Sequence, residues 1–325
     1  MIRAAIVGLG RWGRNIVASV QGASERLRFV RAVVRNAEGA REFAARHGLE
    51  LSTRLEEALS DRTIEAVVLA TPHSQHVEQI LAASAAGKAV FCEKPLALTR
   101  ADAERAVAAC RRAGVALGVG VDKRFWPSMR ELARALASGA LGPVAHIEGH
   151  FSNENSVRFP SAWRERAEES PAGPMTATGI HVLDAFVHLL GPVRTLHAQH
   201  LRRDGRPDTI SVLLEFESGA SGVLASVRAT PFYWRVHAFG ASGSAEALGE
   251  TELVLLSSGG EPRRLRFEPQ NALRVELEAF ADAVEGRAPY PATPGEMVGT
   301  IAALEAISRS IASGRPVAVS QGGRG

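Results

Sequence analysis

The chain has 325 residues, 46% hydrophobic and 22% charged, an ordinary globular balance with enough length for two domains. Its 38 basic residues are dispersed among 35 acidic ones, net charge +3, with no basic block interleaved with aromatics, so no nucleic-acid partner is expected. No apolar run approaches the ~20 residues that span a bilayer, the start MIRAAIVGLG lacks the regions of a signal peptide, and Cys92 and Cys110 lie outside any CxxC motif, so the expectation is a cytoplasmic protein with no membrane segment, disulfide framework or zinc site.

In chain order, AAIVGLG is a strand entering a glycine turn, and RWGRNIVASVQG has helical spacing through Ile16, Val17 and Val20. LRFVRAVVR is a second strand, and AEGAREFAARHG a helix stopped by Gly48. A strand IEAVVLATP, a helix HVEQILAASAAG, a strand AVFCEKP, a helix TRADAERAVAACRRAG and a strand VALGVGV follow. Strand–helix alternation with continuously apolar strands predicts a parallel sheet covered on both faces. The rhythm changes after residue 121. A helix SMRELARALASG, a strand VAHIEGHF and an irregular stretch from Ser152 to Gly173 lead to a helix around His181–Leu190. Five or six extended runs then read as antiparallel hairpins, among them TISVLLEF, SGVLASVRA, WRVHAFG, TELVLLS and RRLRF. Two helices, LRVELEAFADAVEG and PGEMVGTIAALEAISRSIASG, and a short tail QGGRG close the chain. The expected domains are 1–121 and 122–325, α/β overall.

GLGRWG sets Gly8, Gly10 and Gly13 at GxGxxG spacing between the first strand and first helix, the context a dinucleotide site requires. The first glycine permits the tight turn and the second the approach of the pyrophosphate. The third lets helix and strand pack closely, and the helix N-terminus receives the phosphate. Arg11 and Trp12 lie inside the same turn. Where an NAD site would carry an acid after the second strand, this chain has Arg35 and Asn36, with no carboxylate before Glu38. A guanidinium pairs with a 2′-phosphate that a carboxylate would repel, so NADP is the favoured cofactor and NAD the alternative. FCEKPLALT places Glu93, Lys94 and Pro95 at the carboxyl end of a strand, where open α/β sheets bind ligands.

Together these motifs resemble the Gfo/Idh/MocA oxidoreductase family. The resemblance rests on GLGRWG, ATPHSQH, AGKAVFCEKPLALT, VGVDKRFWP, SGALGPVAHIEGHF, GIHVLDAFVHLLG and ELEAFADAVEGRAPYPATPGE, and covers nearly the whole chain. It implies a Rossmann domain followed by an α/β domain with a large, mostly antiparallel sheet, whose open face commonly makes a homodimer or homotetramer. It also implies Thr71, Pro72, His76 and Glu93 beside the nicotinamide, Lys94 as the catalytic lysine, and His181 and Asp184 as the histidine and acid of the GxHxxD helix. The small-molecule substrate would be a sugar, polyol or small cyclic hydroxy compound, oxidised at a secondary alcohol or reduced at its ketone. Lys94, its charged form disfavoured by partial burial near a positive nicotinamide, would exchange the hydroxyl proton. A net non-redox elimination or hydrolysis on bound NAD, and a regulatory protein that has lost catalysis, are the alternatives.

Two positions depart from the family pattern. Ala177 stands where many relatives carry an aspartate one helical turn before His181, so Asp184, three residues later, becomes the expected substitute, with Thr176 or Thr178 as neutral partners. In VDKRF, Asp122 replaces a frequent asparagine; Asp122 and Arg124 are candidate substrate residues, or an ion pair with each other. Trp163 and Arg164 in the irregular stretch are a candidate substrate wall, with Trp163 as a loop anchor the alternative. Tyr233–Trp234 reads first as interface or core. The HxxH pairs His73/His76 and His197/His200 lack a nearby third ligand in the sequence, so no metal is expected.

Overall fold

The computed structural model describes residues 1–159, 161–202 and 208–319; the tail QGGRG lies outside them. The chain forms two compact units: Met1–Ala97, Ala101–Asp122 and Asn271–Met297 in one, and Leu98–Arg100, Lys123–Gln270 and Val298–Gly325 in the other. Where the sequence expectation ran the second domain unbroken from 122, residues 271–297 fold with the first unit.

The first unit holds β1 (Ile2–Val7), β2 (Leu27–Val33), β3 (Glu50–Ser52), β4 (Ala66–Leu69), β5 (Ala89–Glu93) and β6 (Leu117–Gly120). They form one six-stranded sheet in the order β3-β2-β1-β4-β5-β6, every pair parallel. This is the Rossmann order, which reverses direction between β1 and β4 and opens a crevice at their carboxyl ends. All of β4 and β5 is buried, as their unbroken apolar runs dictate. The returning helix Ala272–Val284, capped by the Asn271 side chain accepting from the Arg274 N–H at 3.1 Å, brings Phe280 edge-on to Phe91 at 5.6 Å. Gly118 makes room for this contact, since a Cβ there would stand 2.9 Å from Phe280 and 3.0 Å from Phe91.

The second unit holds β7 (Val144–Asn153), β8 (Val193–Leu201), β9 (Thr209–Phe216), β10 (Ser221–Arg228), β11 (Tyr233–Gly240), β12 (Gly243–Leu248), β13 (Glu252–Ser257), β14 (Arg263–Arg266) and β15 (Val317–Ala318). The nine strands form one sheet, β14-β13-β12-β11-β7-β10-β9-β8-β15. It is antiparallel except where β10 lies parallel to β7, a pairing that the hairpin expectation did not include. β8 and β12 were not expected as strands. The apolar residues of β8 do not alternate cleanly, and the buried face of β12 is made by Ala245 and Ala247, too small for a strong strand signal. The helix Ile180–Leu190 lies directly on β7. A Cβ at Gly149 would fall 2.3 Å from Val182 and 2.7 Å from Phe186, so this glycine lets the helix approach the sheet. Among the described residues, no helix is long and apolar enough to cross a membrane.

Candidate active site

In the first unit the glycine turn sits at the β1/β4 reversal. Gly8 has φ +96, and a Cβ on it would lie 2.6 Å from the Ala70 carbonyl oxygen. A Cβ on Gly13 would lie 2.0 Å from the Gly8 carbonyl oxygen, so the first and third glycines are both sterically required. Gly10 caps the helix Arg11–Val20 without a side-chain bond, and no acid stands in the first turn. The free N–H groups and the positive helix end are thereby left for an anion, as a dinucleotide phosphate needs. Arg14, not singled out from the sequence, ties this turn to the next loop. Its Nε donates to the Leu9 carbonyl at 3.1 Å and its Nη2 to the Gly39 carbonyl at 2.8 Å. Its signal was a basic residue immediately after the motif. Arg11 is exposed and Trp12 half-buried. Arg35 and Asn36 are exposed after β2, and Asn36 accepts from the Gly39 N–H at 3.4 Å. The next acid, Glu38, pairs with Arg41 at 3.1 Å.

His76 is fully buried. Its Nδ1 lies 2.8 Å from the Pro95 carbonyl and its Nε2 3.1 Å from the Thr71 carbonyl, so the ring ties the loop after β4 to the loop after β5. Thr71 donates from its hydroxyl to Gln79 at 2.7 Å, and Pro72 is half-buried. The Lys94–Pro95 peptide is cis and Lys94 is half-buried. Glu93, directly before it, lies against the bare backbone of Gly120, where a Cβ would stand 2.8 Å from its Oε1. Burial pushes the Glu93 carboxyl up to about 7, against the pull of the Lys94 ammonium.

Asp122 and Glu276 complete a buried group of three carboxyls with Glu93, exposed by only 6%, 1% and 7% respectively. Glu276, on the returning helix, accepts from the Val121 N–H and from the Tyr290 hydroxyl at 3.3 Å through Oε1, while its buried Oε2 has no hydrogen-bond partner. Burial, then the charges of Asp122 and Glu93, hold the Glu276 carboxyl well above the usual range. Above pH ~4.5 an unfolded glutamate loses its proton while the folded one keeps it, so stability falls as pH rises, by about 1.4 kcal/mol per pH unit for each retained proton. Glu276→Gln cannot ionise and can still accept from Val121. We expect the variant to be more stable than the parent at pH 8, with a smaller difference at pH 5, in thermal unfolding followed by circular dichroism. Parallel pH profiles for the two proteins would refute the buried proton.

In the second unit His181 and Asp184 are both buried on the helix Ile180–Leu190, which is preceded by a π-turn over Met175–Gly179 that contains Ala177. The His181 ring stands edge-on to Phe151 at 5.7 Å. Asp184, expected to replace the missing acid at 177 as the partner of His181, instead faces Arg124. Arg124 Nε donates to Oδ2 at 2.6 Å and Nη2 to Oδ1 at 2.7 Å, a buried two-pronged pair. Arg124 Nη1 is 3.1 Å from His188 Nδ1. The planar guanidinium matches the carboxylate and occupies both oxygens, which corrects the expected role of Asp184 and makes Asp184 the ion-pair partner of Arg124. Thr176 accepts from the Ala172 N–H at 3.2 Å. Arg164 stacks over the half-buried Trp163 at 4.3 Å.

A family profile described as an oxidoreductase family with an NAD-binding Rossmann fold matches residues 2–121, and one described as the GFO/IDH/MocA C-terminal domain matches 129–246. The chain is 30% identical over 307 residues to a 1,5-anhydro-D-fructose reductase of Ensifer adhaerens, covering 88% of this chain and 90% of that one. It is 29% identical to a scyllo-inositol 2-dehydrogenase (NAD(+)) of Bacillus subtilis, covering 89% and 88%. Among solved structures, a levoglucosan dehydrogenase in complex with NADH and levoglucosan shares the fold at TM-score 0.89 and 20% identity, covering 98% of this chain and all of that one. A protein of gentamicin A biosynthesis in complex with NAD matches at TM-score 0.84 and 27% identity, covering 98% and 97%.

Proposed function

The chain belongs to the Gfo/Idh/MocA family of NAD-binding oxidoreductases, and from that premise we propose that it moves a hydride between a nicotinamide and a secondary alcohol carbon, or its ketone. The names of its relatives, a reductase of an anhydro-sugar and a dehydrogenase of an inositol, support a sugar, polyol or small cyclic hydroxy compound as substrate. One observation carries the reading: the glycine turn occupies the β1/β4 reversal, and Lys94 directly follows β5, the strand next to β4 in that sheet. A bound dinucleotide supplies the hydride acceptor. Lys94, as the free amine, takes the hydroxyl proton of the alcohol and returns it to the oxygen in the reverse direction. Glu93 beside it shares the local proton inventory through its raised carboxyl. His181 holds the substrate oxygen or shares the proton, and the Arg124–Asp184 pair positions the helix that carries it. Trp163 and Arg164 remain candidates for the substrate wall. The open face of the nine-stranded sheet is the proposed surface for a homodimer or homotetramer, and the two buried free cysteines fit a reducing, cytoplasmic setting.

For the cofactor we favour NADP over NAD. Arg35 is exposed after β2, and among the described residues it makes no ion pair, so its guanidinium is available to a 2′-phosphate. Losing a charge-assisted bond of this kind costs about 1.5–3 kcal/mol, so Arg35→Ala is expected to weaken NADPH binding about 10- to 100-fold and leave NADH binding within about twofold. Fluorescence titration of both nucleotides reads the result. Equal affinity for the two, unchanged in the variant, would overturn the preference.

A further inference from the structure

We propose that Phe232, joined to His181 through Phe151 and backed by Trp126, forms an aromatic shelf that receives the C–H face of a cyclic substrate. The inference rests on the hydride-transfer reading for what the ligand undergoes. Phe232 is 57% exposed, whereas Phe151, Trp126 and Trp234 are exposed by 5%, 6% and 1%. The rings form one edge-to-face chain. His181 stands 5.7 Å from Phe151, Phe151 stands 5.8 Å from Phe232 and 5.4 Å from Trp234, and Trp126 stands 6.3 Å from Phe232 and 5.2 Å from Trp234. The catalytic candidate at one end is thus continuous with an open ring at the other.

Phe232 reaches that place through a bent connection. Residues 229–232 join β10 to β11, and Ala229 takes φ +65, a left-handed conformation that a residue with a Cβ adopts reluctantly. The bend is held by the Ala229 N–H on the Asn153 carbonyl at 3.1 Å and the Arg228 N–H on the Asp208 carbonyl at 2.9 Å. Pro231, next to Phe232, removes a donor and stiffens the delivery. The exposed Phe232 ring offers an electron-rich face, held by the edge-on rings of Phe151 and Trp126, that attracts the polarised C–H bonds of a ring such as a pyranose or cyclitol. Lys123 Nζ lies 4.2 Å from the Trp126 ring centre and adds a cationic edge for hydroxyl groups. An open-chain polyol, with no rigid C–H face, gains little from such a surface and loses more freedom on binding.

The test uses Phe232→Ala and Phe232→Tyr with myo-inositol and 1,5-anhydro-D-fructose as ring probes and D-sorbitol as the open-chain probe. Turnover is read by nicotinamide absorbance, and binding by intrinsic tryptophan fluorescence, because Trp126 and Trp234 lie in the cluster. Phe232→Ala is expected to raise KM or Kd for a ring probe by about tenfold or more, with kcat within about threefold, and Phe232→Tyr to restore the parent value. Ring binding that depends on Phe232 without any turnover upholds the shelf and overturns hydride transfer for that probe. Turnover with a KM indifferent to Phe232→Ala overturns the shelf and leaves hydride transfer standing. No binding of either ring probe overturns the shelf. So does a change of sedimentation in Phe232→Ala without a change in ring binding, because Phe232 would then be an interface residue.

Discussion

Lys94→Ala is expected to lower kcat by about 10²- to 10⁴-fold, the usual weight of a general acid–base group, while NADPH binds within about threefold of the parent. The expectation follows from what surrounds the lysine. It directly follows β5 at the carboxyl edge of the parallel sheet, in the loop that His76 ties to the loop after β4. Its neighbour Glu93 is buried, with a carboxyl pushed up to about 7 by that burial, so a second group able to carry a proton in the working pH range stands directly beside the lysine in the chain. The glycine turn is built by Gly8, Gly10 and Gly13, which the substitution leaves untouched. Binding and chemistry therefore separate: cofactor affinity survives and the proton-transfer step is lost. Steady-state turnover and a fluorescence titration on the same variant check this. A variant that keeps kcat within about threefold would remove Lys94 from the chemistry, and one that loses nucleotide binding would make it a cofactor residue only.

The second large effect lies in stability. Arg124→Met or Asp184→Leu alone is expected to cost about 3–5 kcal/mol, because each breaks a buried, two-pronged charge pair. For a unit of this size that is a fall in Tm of about 6–20 °C. The double variant is expected to recover most of the loss, since a buried ion pair replaced by apolar groups of similar volume is often neutral or better. The pair joins residues 60 positions apart, at side-chain exposures of 4% and 5%, and fixes the helix that carries His181 to the turn Asp122–Phe125. Differential scanning fluorimetry of both single variants and the double completes a thermodynamic cycle. Single variants within about 1 kcal/mol of the parent would mean that the pair is not the anchor of the helix.

What could be read from the sequence was what is local in it. GLGRWG needs only six consecutive residues to declare a strand, a turn and a helix, and the structure puts that turn at the β1/β4 reversal. The helix carrying His181 and Asp184 was legible from the apolar residues that surround its few polar ones, Ile180, Val182, Leu183, Ala185, Phe186 and Val187. Partners distant in the chain were not legible. Nothing near Asp184 announces Arg124, so the acid was assigned to the closer histidine. Glu276 was not singled out within the late helix LRVELEAFADAVEG, which returns to the first unit and places the carboxyl against Val121, 155 positions earlier. β12 was invisible because alanines rather than branched residues fill its buried face. Phe232 gave no periodic signal, since its position depends on the bend at Ala229.

The proposed reaction moves a hydride between a carbinol carbon and nicotinamide C4. The most direct measurement uses a substrate found by turnover, deuterated at the carbon that is oxidised, and follows the label by mass spectrometry and NMR of the recovered nicotinamide. One deuterium on C4 is expected for each ketone formed, with a loss of that transfer in Lys94→Ala while nucleotide stays bound. Product formed with the nicotinamide unlabelled, or label transfer at the parent rate in Lys94→Ala, would contradict it.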